Sequence, residues 1–272
     1  MIRVANAPVS YGAFELTVGL LPNVPGPDEV LDAIATAGYE GTELGPVGYL
    51  GENEVLRERL AKRGLGLAGA FIEVRFGDDD DLVNLDATLD VLSGYDAKPV
   101  LADAGPREVA VDWARLANGV EQAVERARAR GFEPTFHHHM GTRVQSPREV
   151  EQLLDRTDVG LLLDTGHLTA AGGDPIRALS DWRERIDHLH VKDVRLDVLR
   201  DSSDWAEAWR EGVFCELGAG DVDLDSFFAE LDGYSGWLVV EQDWVPGPED
   251  DVAEQVEAQV RNRRWLAEHV GL

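Results

Sequence analysis

Eight times along this chain a short apolar run is followed by a longer stretch that has helical spacing or ends in turn residues. A strand feeding a helix and then another strand is a βα unit, and repeated units build a parallel sheet covered by helices. The runs are Ile2–Ala7, Gly41–Leu44, Leu65–Ile72, Lys98–Ala102, Glu133–His138, Gly160–Leu163, Ile186–Val191 and Trp237–Glu241. Helices are expected over Asp28–Ala37, Gly51–Arg63, Arg107–Arg130, Pro147–Arg156, Pro175–Arg185, Leu224–Leu231 and Glu249–His269. Pro27 suits a first turn and Gly64 a C-cap. Ser146 with Glu149 reads as a capping box, and Asp174 and Asp223 as N-caps. Eight strands in 272 residues is the count of one α/β barrel, a (β/α)8 TIM barrel, which typically runs to about 250 residues. The expectation is a single domain over residues 1–272. A doubly wound open sheet would show a glycine-rich phosphate turn after its first strand, and Asn6-Ala7-Pro8-Val9-Ser10-Tyr11-Gly12 is not one.

Charge narrows the partners. The chain has 52 acidic and 25 basic residues, a net charge of −27. A field of that sign repels nucleic-acid phosphates and anionic lipid, so neither is an expected partner. The dense run Gly77-Asp78-Asp79-Asp80-Asp81 reads as a solvated loop or a helix start. Cys215 is the sole cysteine, so an internal disulfide is impossible and a reducing compartment fits. The first residues lack a basic segment followed by an apolar one, and no stretch of about 18 apolar residues occurs. The expected location is the cytoplasm. Assembly into a homo-oligomer is left open.

In a βα barrel the chemistry sits at the C-terminal ends of the strands. The fifth ends His137-His138-His139, the sixth Asp164-Thr165-Gly166-His167, the seventh His188-Leu189-His190-Val191-Lys192 and the eighth Glu241-Gln242-Asp243. Side chains alternate along a strand. His137 and His139 therefore share a face, as do His188, His190 and Lys192. A lone strand-end Asp is most often an N-cap, and a lone His a satisfied, half-buried side chain. Placement on four successive strand ends sets His137, Asp164, His190 and Glu241 apart as a ligand set, with His139 the alternative to His137. Imidazoles mixed with carboxylates suit Mn, Fe, Co, Ni or Zn, with Mg also possible. Glu43 and Glu73 end strands two and three and are candidate substrate contacts or bases. His167 and Lys192 are candidate proton carriers. Tyr11, Glu15 and Trp205 are candidates for the mouth, and Arg75, Arg143 and Arg195 for holding a phosphate. Leu217-Gly218-Ala219-Gly220-Asp221-Val222-Asp223 contains a lone Gly-x-Gly, which reads better as a turn before a capped helix than as a phosphate cradle.

Several segments are similar to one known family. They are Gly38-Tyr39-Glu40-Gly41-Thr42-Glu43-Leu44-Gly45, Leu163–His167, His188–Asp193, Leu217–Asp223 and Val239-Val240-Glu241. Together they resemble the xylose-isomerase-like barrel superfamily, often labelled sugar phosphate isomerase/epimerase. The opening Ala5–Gly12, Glu43-Leu44-Gly45-Pro46 with Gly48-Tyr49-Leu50, and His137–Thr142 resemble its inosose (2-keto-myo-inositol) dehydratase subgroup. The resemblance implies a barrel with a divalent metal acting on a small polyol or sugar. It carries Asp164, His190 and Glu241 over as ligands. The superfamily usually has a metal-binding Glu at the end of strand five, so His137 is carried over by position only.

The implied reaction is metal-dependent dehydration of a keto-inositol, with Glu241, Glu73 or His167 as base and His167 or Lys192 as acid. Glu43, His139, Arg195 and Tyr11 are the candidate substrate contacts. The alternative is a sugar or sugar-phosphate isomerase or epimerase. A non-catalytic metal-binding barrel and a DNA-repair endonuclease of the same fold are the remaining readings, and the net charge speaks against the nuclease.

Overall fold

A computed structural model describes residues 1–77, 82–108, 110–247 and 250–272. Asp78–Asp81 and the expected helix start at Glu249 lie outside the described residues. Ten strands occur among the described residues: β1 (Ile2–Asn6), β2 (Gly41–Glu43), β3 (Gly66–Val74), β4 (Lys98–Asp103), β5 (Thr135–His137), β6 (Gly160–Asp164), β7 (Ile186–Val191), β8 (Asp193–Val194), β9 (Phe214–Cys215) and β10 (Gly236–Val240). Eight of them form a closed parallel barrel in the order β1-β10-β7-β6-β5-β4-β3-β2. The expected TIM barrel is the observed fold. The other two, β8 and β9, pair as a small antiparallel ribbon.

The helices are α1 (Pro27–Ala37), α2 (Asn53–Arg63), α3 (Val83–Leu92), α4 (Trp113–Arg128), α5 (Pro147–Leu154), α6 (Thr165–Ala170), α7 (Pro175–Asp181), α8 (Leu196–Asp201), α9 (Trp205–Arg210), α10 (Leu224–Ala229) and α11 (Val252–His269). Their ends follow local chemistry. Ser146 N donates to Glu149 Oε2 at 2.9 Å, and Asp174 and Asp223 accept from the first-turn amides of α7 and α10. The helix expected from Arg107 starts six residues later, where Asp112 accepts from Arg115 N and caps α4. Four short helices, α3, α6, α8 and α9, were not expected. In α3 the buried Leu85, Leu89 and Leu92 lie at helical spacing.

By compactness the chain divides into Met1–Ala68 with His190–Leu272, and Gly69–Leu189. Within the first unit, Ala5 of β1 and Trp237 and Val239 of β10 form a core with Ala7, just past β1, and Ala68, at the start of β3. Glycine is required where the Trp237 ring lies. A Cβ on Gly41 or Gly66 would stand 2.5 or 2.8 Å from it. Arg3 covers the ring, 4.0 Å from its centroid. Within the second unit, register puts Glu73 level with Ala102 and Ala102 level with His137. Paired residues of parallel strands point to one side, so Glu73 and His137 share a face, separated by a small side chain.

Candidate metal centre

In the first unit, β7 carries His190 and β2 carries Glu43, and Glu241 follows β10 directly. All three are buried. His190 Nε2 lies 3.1 Å from Glu43 Oε1, and Nδ1 lies 2.8 Å from Glu241 Oε2. Both ring nitrogens thus face a carboxylate. Burial opposes the imidazolium, but Glu241 and Glu43 outweigh it and raise the His190 pKa to about 10. Burial would push Glu241 up as well. The His190 and Lys192 charges reverse that, and its carboxyl stays below the ordinary carboxylate range.

Two residues beyond His190, Lys192 emerges on the same face. Its ammonium is buried between Glu241, at 3.0 Å, and Asp243, at 3.0 Å. It also lies 5.1 Å from the centroid of the Phe214 ring. Asp243 and Phe214 are not among the sequence candidates. The signal for Asp243 was present: it stands two residues from Glu241, and side chains alternate.

In the second unit, His137 Nε2 is 3.5 Å from Asp164 Oδ2. Asp164 Oδ1 accepts from His167 N at 2.8 Å and caps α6. One carboxylate therefore serves as N-cap with one oxygen and faces an imidazole with the other. His138, on the opposite face of β5, accepts from Asp164 N at 3.2 Å through Nε2 and ties β5 to β6. His139 is half-buried and packs on His167, with ring centroids 3.9 Å apart. The His137 and His167 centroids are 5.5 Å apart. Glu73 keeps an exposed surface, yet the protein around it raises its carboxyl above the ordinary range.

The remaining candidates scatter. Tyr11 is buried in a 3-10 turn, Pro8–Tyr11. Its hydroxyl has no hydrogen-bond partner among the described residues, and burial, with Tyr39 adding to it, pushes the phenol well up. Glu15 is exposed, and Trp205 is half-buried, edge-on to Phe214. Of the three phosphate candidates, Arg75 and Arg195 are exposed, and Arg195 donates to the Gly212 carbonyl. Arg143 is buried, clamped to Asp103 at 2.9 and 2.7 Å and to the Phe76 carbonyl at 2.7 Å. The Gly-x-Gly loop wraps an internal anion. The Asp193 carboxylate accepts from Gly218 N, Gly220 N, Val222 N and Val194 N at 2.9 to 3.1 Å.

Buried imidazoles and carboxylates of this kind are the donor set of a divalent metal. A sequence model described as xylose isomerase-like TIM barrel matches residues 31–268. The chain belongs to that family. An inosose dehydratase of Geobacillus thermodenitrificans (strain NG80-2) is 30% identical over 280 residues, covering 90% of each chain. An inosose dehydratase of Lacticaseibacillus casei is 32% identical over 247 residues, covering 80% of this chain and 83% of that one. A structure described as IOLI protein with a binding zinc atom matches with a TM-score of 0.71 at 14% identity, over 99% of this chain and 100% of that one. An L-ribulose 3-epimerase matches with a TM-score of 0.71 at 16% identity, over 100% and 95%. At those identities the structural likeness speaks for the barrel fold alone.

Proposed function

We propose that this chain is a divalent-metal-dependent lyase that removes water from a keto-inositol or a similar polyhydroxylated ketone. The observation that carries the reading is the buried His190 held between Glu43 and Glu241, in a chain 30% identical to inosose dehydratases over nine-tenths of its length. His137, Asp164, His190 and Glu241 would hold the ion from the ends of β5, β6, β7 and β10. A bound Mn, Co, Zn, Fe or Mg ion supplies Lewis acidity that polarises the ketone and acidifies the neighbouring C–H.

Glu73 takes the carbon-bound proton, its basicity raised by the protein packed around its carboxyl. Lys192 gives a proton to the departing hydroxyl. One C–H and one C–O bond break, a C=C bond forms, and water leaves. His167 holds the cap of α6 and so orients Asp164. Glu43 and His139 are the proposed contacts for substrate hydroxyls. Positioned acid and base groups typically contribute about 10²–10⁴-fold each.

Elemental analysis of the purified protein, paired with an absorbance assay on 2-keto-myo-inositol, tests this. Bound metal with product formation is expected. Metal without product turns the reading to epimerisation of a free ketose, which Glu43 and Glu241 on one imidazole favour; exchange of substrate hydrogen with D₂O and no water loss would then be seen. A protein that takes up no metal overturns the ligand set.

A further inference from the structure

Behind the His190 group lies a second polar cluster, made of amides. The Gln242 side-chain oxygen accepts from Gln259 Nε2 at 3.2 Å and from Asn262 Nδ2 at 3.3 Å. The Gln259 oxygen accepts from Asn6 Nδ2 and Asn262 Nδ2, both at 3.1 Å. Asn6 also donates to the Val240 carbonyl at 2.8 Å, and Asn262 Oδ1 accepts from Leu217 N at 2.9 Å. Asn6, Gln259 and Asn262 are fully buried. Helices usually meet a sheet through apolar side chains, and an unbonded amide there is costly. Four amides bonded to one another supply direction that apolar packing lacks.

Their placement gives that direction a use. Gln242 stands between Glu241 and Asp243 and points to the opposite side. Its own N–H donates to Ser10 Oγ at 3.0 Å, and Glu241 N donates to the Val191 carbonyl at 3.1 Å. The segment carrying both carboxylates that flank Lys192 is thus fixed from its outer side by Asn6, Gln259 and Asn262. We propose that Gln242, with this amide cluster, is a positioning residue that sets the Glu241 carboxylate for metal binding. The inference rests on the metal reading given above. Groups that orient metal ligands typically change metal affinity or activity by about 10–100-fold when removed.

The test compares the full chain with Gln242→Met, which deletes the acceptor, and Gln242→Glu, which keeps it. Cobalt titration followed by visible absorption is the readout, with thermal unfolding measured alongside. The expected result is cobalt affinity weakened by about 10–100-fold in Q242M with a changed spectrum, and recovery of most of that loss in Q242E. Wild-type affinity and spectrum in Q242M, whatever its unfolding temperature, overturn the inference. Should Q242M not fold, Gln242→Asn, which draws the amide back by one methylene, carries the same test. Failure of the metal reading shows separately, as a wild-type chain that binds no cobalt. The ring-nitrogen NMR shifts of His190, which touches Glu241, then become the readout, and their staying unchanged in Q242M overturns the inference.

Discussion

The two ends of β10 and β2 are built by opposite rules. At the N-terminal end of β10, Trp237 lies against Gly41 and Gly66, where one added carbon on either glycine would collide with its ring. Just past the C-terminal end, Glu241 and Glu43 hold His190 from either side. Gly41 and Glu43 lie two residues apart on one strand face, so a single short strand supplies a packing contact and a candidate ligand. The first end is shape without charge and the second is charge at close quarters. Barrels of this kind put stability at the N-terminal face and chemistry at the C-terminal face. Three residue changes and two solution conditions separate the two.

The largest effect is expected from Trp237→Ala, which should lower unfolding free energy by about 3–5 kcal/mol. Gly41→Ala should cost about 1–3 kcal/mol by overpacking. Denaturant titration measures both, and the folded fraction of each should keep its metal content; lost metal would mean the two ends are not separable. Asp164→Asn is the reverse case. Asn caps a helix about as well as Asp, so stability should hold while metal affinity and activity fall by more than about 100-fold. An unchanged metal content in this variant would remove Asp164 from the ligand set.

A pH series reads His190 directly. In the metal-free protein its pKa is about 10 against an ordinary 6.5. The partnered imidazolium contributes stability in full below pH 6.5 and loses it as pH rises through about 10. The metal-free chain should therefore unfold more easily across that window. Metal binding must release this proton, so affinity should rise about tenfold per pH unit over the same range. A pH-independent affinity would mean that His190 is not a ligand. The smallest effect is expected from salt. Going from about 0.1 to 1 M shortens the screening length from about 10 to 3 Å. The repulsion within a chain of net charge −27 should ease and raise the melting temperature by several degrees. The closely held His190 group should respond less.

How far this could be read from the sequence depends on the range of each interaction. Alternation along a strand is local, and it put His137 with His139 and His190 with Lys192 before any fold was known. The N-caps Asp174 and Asp223 are local too. The pairing of His190 with Glu43 joins residues 147 apart in sequence, and no motif encodes it. Gln259 and Asn262 look like ordinary surface residues of a polar helix, and only packing shows them buried. The Val83–Leu92 helix had a legible Leu85, Leu89, Leu92 spacing, but the residue at its N-cap position is the apolar Leu82, which gives no capping signal in the sequence. The short helices after β7 have few buried residues to set a period.

The loop around Asp193 has a consequence for how such chains are classified and altered. Backbone amides converging on one anion are what a nucleotide-binding loop offers a phosphate. Here the anion is part of the chain, so a glycine pattern that suggests a ligand instead closes an internal joint. A Cβ on Gly220 would stand 2.3 Å from the Asp193 oxygen, which is why the glycine is needed without any external molecule. Exchange of Asp193 for a smaller neutral residue would leave those amides pointing at an open position, a starting point for engineering oxyanion recognition into a barrel whose natural loop has none to spare.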